Sequence, residues 1–434
     1  MSEKLIKVDD LGRVEGEGGI DIRLVDGQVQ RVEFHIFEPP RFFEAFLIGR
    51  KFHELPDMTA RICGICPVAY QMSSIHACEH AFGTAIDPAI RELRRLFYCG
   101  EWIESHVLHM FLLAAPDFFG YPSAIAMAQD RPELRQVVQR ALSLKRVGND
   151  IVALLGGREI HPVGAQVGGF SRTPTQEELV RSLRDLLLQA KDDAVWSMQF
   201  VSGLELPDLS HDIEFVSLSH PDEYPMNEGR IVSNKGLDIA VEQFGDYFVE
   251  GQSPYSNALP VLVKGRGPFF VGPLARMNLN FDRLSAETKQ VAATTGIPFP
   301  NDNPFVSIVA RAIEVHYAVC EALRIIDSYH KPAQSMAIVQ PRQASGHGAT
   351  EAPRGLLYHG YSFDDAGLIR SARIIPPTAS NQYMIEEDLR LYAPRVAGAM
   401  PHEQAVHHCE MAVRNYDPCI SCSTHALRVT LSID

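Results

Sequence analysis

Two Cys-x-x-Cys pairs stand at opposite ends of this 434-residue chain, Cys63-Gly-Ile-Cys66 and Cys419-Ile-Ser-Cys422. Two intervening residues let both thiolates of a pair reach one metal ion, and two such pairs make a four-thiolate site. Soft thiolates select zinc, iron–sulfur clusters, copper or nickel over magnesium and calcium. On spacing alone three readings stay open. A structural zinc site usually draws its pairs from one compact segment, about 15–20 residues apart. A thioredoxin-like redox motif needs one pair beside a strand–helix unit and leaves the second unexplained. The third reading is a buried catalytic metal centre around which the whole fold closes.

The rest of the composition fits a large globular core, with 46% hydrophobic and 22% charged residues. The formal net charge of −14 speaks against binding to nucleic acid or to an anionic membrane. The start, MSEKLIKVDD, has no apolar signal region, and no run reaches the roughly 20 apolar residues of a membrane span. A soluble, cytoplasmic protein is expected. A disulfide framework is not expected there. The other four cysteines, Cys78, Cys99, Cys320 and Cys409, read as buried small hydrophobes.

The first segment reads as a hairpin. Ile20, Ile22 and Leu24 alternate with polar residues, Asp26-Gly27 turns, Val32, Phe34 and Ile36 alternate again, and Pro39-Pro40 ends it. Apolar residues at helical spacing predict helices over 91–113, 133–155 and about 304–328, the second stopped by Gly156-Gly157. Thr175 with Glu178 forms a capping box that opens another helix. Residues 210–275 read as short strands and loops. The fold class expected is α+β, predominantly helical with peripheral sheet. No repeat or linker divides the chain, so residues 1–434 read as a single domain.

The local sequences go further. Arg61-Ile-Cys63-Gly-Ile-Cys66-Pro67 and Asp417-Pro-Cys419-Ile-Ser-Cys422-Ser-Thr-His425 resemble the paired signatures of the nickel–iron hydrogenase large subunit. Other stretches resemble the same family in family order. They are Arg13-Val-Glu15-Gly16, the Arg41–Arg50 stretch around Glu44, Ser105-His106 with His109, and Gly157-Arg-Glu-Ile-His161-Pro162. Gly168-Gly169-Phe170, Glu351-Ala-Pro353-Arg354-Gly355 and Pro377-Thr378-Ala-Ser-Asn381 complete the set. Three positions depart from the common pattern. Tyr70 stands where many members have His, Glu17 takes the place of a frequent His, and Ser105 replaces an Asp of many membrane-linked members. The last points to the soluble, bidirectional, nicotinamide-linked branch.

The resemblance implies reversible heterolytic cleavage of H2. Dihydrogen is a very weak acid, so the reaction needs a metal to take the electron pair and a nearby base for the proton. Cys63 and Cys419 are implied as terminal nickel ligands. Cys66 and Cys422 are implied as bridges to an iron carrying carbon monoxide and cyanide. Glu15 is implied as the proton relay, and Arg354 as a group over the open metal face, fixed by Asp417. Arg354, Pro353 and Thr378 line the diatomic ligands. Alone, Glu15 or Arg354 would be read as an ion-pair partner, Thr378 as a loop hydroxyl and Asp417 as a cap. Glu44, the Ile374 carbonyl and His425 are implied as ligands of magnesium or a similar ion. His106, His109 and His161 are left unassigned.

The chain has no further four-cysteine cluster and no Gly-x-Gly-x-x-Gly fingerprint, so its electrons need a route out. An iron–sulfur small subunit, diaphorase or NAD(P)-binding subunits and a maturation endopeptidase are the expected partners, with no nucleic acid and no membrane. Family members commonly end at the final His, which makes residues 426–434 a candidate propeptide. Two other function classes are weighed. The quinone-site subunit of respiratory complex I shares ancestry with the family but lacks the four cysteines, and a zinc-stabilised binding protein would use them structurally.

Overall fold

The computed structural model describes residues 3–426, so all of the candidate propeptide except Ala426 lies outside the described residues. The hairpin forms as expected. Gly18–Val25 pairs antiparallel with Gln28–Ile36. Asp26 (φ 49°) and Gly27 (φ 80°) both turn through the left-handed region, the geometry that suits the twist of a tight hairpin. Its alternating apolar residues are buried. Glu3–Val8 adds a third strand on the outer edge.

Helices dominate the rest. The helix expected over 91–113 runs as α-helix only through Pro88–Val107, then widens to a π-helix over Leu108–Ala114. Pro116 supplies no N–H to the carbonyl four residues before it, and the ladder shifts to the wider pattern ahead of it. The helix expected over 133–155 is Pro132–Gly156, closed by Gly157 at φ 82°. The capping box of Thr175 and Glu178 is present, and its helix continues through a π turn into Asp185–Ser202. The stretch near 304–328 begins as a 3-10 turn and becomes the Ser307–Ser328 helix. Residues 210–275 carry short strands, as expected, in a three-stranded and a two-stranded sheet.

Several elements have no counterpart in the sequence reading, and three helices and a sheet are the longest of them. They are Pro67–Phe82, Pro377–Ala399, His402–Asn415 and the sheet Ala344–Ala352, Gly355–Phe363, Ile369–Ile375. Pro67–Phe82 is buried on nearly every side, so it has no polar stripe to mark its period. It lies against the Ala344–Ala352 strand, where a Cβ on Gly348 would stand 2.8 Å from the amide nitrogen of Ala77. Only glycine allows that approach. The largest apolar cluster draws residues from Ile6 to Cys422, so one core joins the two ends of the chain.

Candidate metal centre

Pro67 opens the Pro67–Phe82 helix, and Cys66 is its capping residue, so the first pair sits at a helix start. Here the Ile65 and Cys66 amides both donate to Cys63 Sγ at 3.3 Å. The second pair follows the His402–Asn415 helix, past a turn with Asp417 in the left-handed region at φ 56°: Cys419 caps the short helix Ile420–Ser423, which carries Cys422. The four buried sulfurs converge, and all lie within 4.8 Å of one another. Cys63 Sγ is 3.5 Å from Cys419 Sγ, and Cys66 Sγ is 3.8 Å from Cys422 Sγ. The more than 350 residues between the pairs are closed by the fold.

What holds the second pair in place comes from the start of the chain. Residue Glu15 runs parallel beside Cys419, and the Ile420 amide donates to the Glu15 carbonyl at 2.8 Å. Gly16 is needed here, because a Cβ would stand 2.7 Å from Ile420 Cβ and φ is 89°. Glu15 Oε2 lies 3.0 Å from Cys419 Sγ and accepts from the Ser421 amide at 3.1 Å. Glu15 is itself half-buried, so it spans from the sealed sulfur toward the exterior. Arg41 joins the two cysteine loops by donating to the Ile62 carbonyl at 2.7 Å and to the Ser421 carbonyl.

Arg354 reaches the same cavity from the turn between two strands. Its Nε donates to the Asp417 carbonyl at 2.7 Å and its Nη2 to Asp417 Oδ1 at 3.0 Å. Its Nη1, Asp417 Oδ2 and the Tyr70 hydroxyl are buried without a hydrogen-bond partner among the described residues. Thr378 Oγ1 accepts from the Cys419 amide at 2.9 Å, which leaves its own proton free to donate. Burial pushes the Cys419 thiol well up, and the neighbouring cysteines push it further. Against its own burial, Cys63 is drawn well below the usual thiol range by hydrogen bonds from Cys419, Cys422 and Cys66 and by the charge of Arg354. Such a cluster shares protons unless a cation neutralises it.

A second grouping lies close by. Glu44 Oε1 accepts from the Ile374 amide at 2.7 Å, and His425 Nε2 stands 2.8 Å from the Ile374 carbonyl and 3.7 Å from Glu44 Oε1. His425 Nδ1 faces the Cys422 carbonyl at 2.6 Å. A neutral imidazole has one N–H, so it cannot donate to both carbonyls.

A family model described as nickel-dependent hydrogenase matches residues 41–140 and 264–425, more than half of the chain. The chain belongs to that hydrogenase family. It is 33% identical to sulfhydrogenase 1 subunit alpha of Pyrococcus furiosus, with 98% of both chains covered. It is 26% identical to the NAD-reducing hydrogenase HoxS subunit beta of Cupriavidus necator, with 98% of this chain and 96% of that one covered. Among solved structures it matches an NAD+-reducing [NiFe]-hydrogenase in the H2-reduced state. The TM-score is 0.85 at 27% identity, covering 97% of this chain and 99% of that one. The hydrogenase is therefore a nickel–iron enzyme of H2 cleavage, with the large-subunit fold that its signatures implied. The complex I and zinc-protein readings give way to this one.

The fold brings together Cys63, Cys66, Cys419, Cys422, Glu15, Arg354, Asp417 and Thr378, and groups Glu44, Ile374 and His425 beside them. Pro353 adjoins Arg354, and its carbonyl accepts from Arg276. The three unassigned histidines pair elsewhere. His106 meets Glu314 at 2.9 Å, His109 accepts from Arg311 at 3.0 Å, and His161 meets the Ala60 carbonyl at 2.8 Å. Sequence reasoning missed the bracing by Arg41. It also missed Arg311, whose burial lowers it to about 10 and which stands between the fields of Asp417 and Arg354. Of the scattered cysteines, Cys78, Cys99 and Cys409 are buried as expected. Cys320 is half-buried beside His316 and Glu287, and is not merely a core residue.

Proposed function

We propose that the four cysteines hold nickel and an iron carrying carbon monoxide and cyanide, and that Glu15 moves the proton released from H2. One observation carries the reading: a carboxylate oxygen 3.0 Å from Cys419 Sγ, on a half-buried residue that reaches outward. The donor set fits the group. Four buried sulfurs supply soft ligands, and the free Arg354 Nη1 and the Thr378 hydroxyl supply donors for two cyanide nitrogens. Pro353 adds an apolar wall. Bound there, the nickel–iron group supplies the electron-accepting half of H2 heterolysis. The chain supplies the rest. Cys419 takes the proton at sulfur, Glu15 Oε2 accepts it, and the Ser421 amide holds that carboxylate in line. Asp417 fixes the plane of Arg354 so that one arm of the guanidinium stays directed at the cavity.

Glu44, the Ile374 carbonyl and His425 are read as ligands of a magnesium-class ion. A cation at Nε2 resolves the two-carbonyl conflict at His425. The same placement favours maturation by an endopeptidase after His425, since a chain continuing from a buried ligand would have to leave that pocket. Electron transfer on to NAD(P) rests on likeness to the NAD-reducing relatives, and the iron–sulfur small subunit, the diaphorase partner and a cytoplasmic location extend that reading. Infrared spectroscopy of the purified enzyme tests the centre. Intrinsic carbon monoxide and cyanide bands are expected, and their absence from active, nickel-loaded protein defeats the assignment of the iron ligands. Intact mass of the same sample tests the processing, and a mass that still includes Asp434 refutes it.

A further inference from the structure

Away from the centre, two helices bring together a second set of metal-binding atoms. His316 and Cys320 lie one turn apart on the Ser307–Ser328 helix, so they share a face. Glu287 comes from the Ala286–Ala293 helix packed against it. Their ligand atoms all lie within 4.8 Å of one another. Cys320 Sγ stands 3.8 Å from both ring nitrogens of His316 and 3.9 Å from Glu287 Oε2. Tetrahedral zinc, with bonds of about 2.3 Å to sulfur and about 2.0–2.1 Å to nitrogen or oxygen, sets such ligands roughly 3.5 Å apart. The two distances from sulfur lie within a few tenths of an ångström of that arrangement, and the imidazole must turn to bring its Nε2 lone pair onto the ion.

The surroundings suit a ligand histidine. His316 is fully buried, and its Nδ1 faces Thr288 Oγ1 at 3.1 Å. The Thr288 oxygen also accepts from the Ser285 hydroxyl at 2.9 Å and keeps a second lone pair for Nδ1–H. With the proton on Nδ1 and donated to Thr288, Nε2 is left as the ligand nitrogen, the usual outer support of a metal-bound imidazole. Glu287 is exposed and Cys320 half-buried, so the cluster opens to solvent on one side. Lys191 of the Asp185–Ser202 helix already pairs with the other oxygen of Glu287, placing a positive charge where a cation would sit.

We propose that Glu287, His316 and Cys320 form a second, peripheral site for zinc or a similar soft divalent cation, with its fourth position open to water. The ligand set is thiolate, imidazole and carboxylate, which favours zinc over magnesium or calcium. Binding forms three protein–metal bonds, and the Cys320 thiol releases its proton to solvent. The ion would tie the Ala286–Ala293 helix to the long Ser307–Ser328 helix, with Lys191 as the built-in competitor.

The test uses matured, nickel-loaded hydrogenase, whose four-cysteine site is filled, titrated with Co2+. Expected are a thiolate-to-cobalt charge-transfer band in the near ultraviolet and tetrahedral bands in the visible, both bleached by added Zn2+. Cys320→Ser should lose the charge-transfer band while keeping H2 uptake, which reports an intact fold. Lys191→Ala should tighten cobalt binding several-fold by removing the competing charge. No charge-transfer band at millimolar Co2+, or an unchanged band in Cys320→Ser, overturns the proposal.

Discussion

Arg276 and Arg354 are both fully buried, both charged and both next to an acidic partner, yet they do opposite things. Every donor of Arg276 is used. Its Nε and Nη2 grip Glu314 at 2.7 Å, Nη1 reaches Glu351 at 3.0 Å and the Ala352 carbonyl at 2.9 Å, and Nη2 also reaches the Pro353 carbonyl. Its guanidinium also lies 4.4 Å over the Trp102 ring. Arg354 spends Nε and Nη2 on Asp417 and keeps Nη1 free. The difference teaches that burial and charge do not mark a site here. A saturated guanidinium is a fastening, and an unsaturated one beside four sulfurs is a tool. The two are only a few residues apart in effect, since Arg276 holds the carbonyls of Ala352 and Pro353 that lead into Arg354.

Breaking the centre itself should have the largest effect. Cys419→Ser or Cys63→Ser is expected to abolish nickel retention and H2 uptake together, checked by metal analysis of the purified protein. Full nickel with normal turnover in either variant would remove the four-thiolate assignment. Next, Glu15→Gln should retain nickel and iron but lose about 100- to 10,000-fold in H2 uptake with an artificial dye, because the amide cannot carry the proton. Wild-type turnover would send the relay elsewhere.

The same substitution at the two arginines sharpens the comparison directly. Arg354→Lys is expected to load metal and melt near the wild type while turning over about 100-fold more slowly, since the ammonium lacks the planar arm. Arg276→Lys should do the reverse. It leaves buried acceptors on Glu314, Glu351 or the nearby carbonyls unpaired at roughly 1–3 kcal/mol each, while activity per bound nickel stays close to normal. Paired measurements of urea midpoint and nickel-normalised turnover check both. Equal losses of activity at the two positions would erase the distinction.

The smallest effect concerns acid. Burial lowers His106 to about 4 and His109 to about 3, and Arg276 with His106 holds Glu314, against its own burial, down to about 2. A histidine kept neutral in the fold binds fewer protons than its unfolded counterpart, so stability falls as pH drops below the unfolded value of about 6.5. The Glu314 carboxylate adds a loss of the same sign below about 4.5. Each group contributes a slope of at most about 1.4 kcal/mol per pH unit within its window. Urea midpoints should decline from about pH 6.5 downward. A His109→Gln variant should show a shallower decline, and a flat wild-type profile would contradict the buried neutral imidazoles.

Much of the site was legible because its ligands come in covalently spaced pairs and short motifs that keep their meaning out of context. Cys63 and Cys66 need no fold to be read as a pair, and neither do Cys419 and Cys422. The hairpin at Asp26-Gly27 and the capping box at Thr175 were legible for the same local reason. What stayed hidden depends on partners distant in sequence. Arg41 acquires its role only when the Ile62 and Ser421 carbonyls meet, and Arg311 only when His109 and Asp417 flank it. The Pro67–Phe82 helix hid because a helix buried all round has no amphipathic period. Cys320 looked like a core residue because Glu287 lies on another helix.

The backbone joins made by residues 418–425 point to an order of events. The Glu15, Arg41 and Phe43 amides donate to the carbonyls of Pro418, Thr424 and His425, and all three donors come from the first tenth of the chain. Closing so long a loop is entropically costly, and the one short helix in that segment, Ile420–Ser423, repays little of it in advance. Residues 418–425 therefore behave as a lid stitched down by residues from the start of the chain. Until they dock, Cys63 and Cys66 stand in an open cup that lacks its second pair. The vault and its door are made of the same chain.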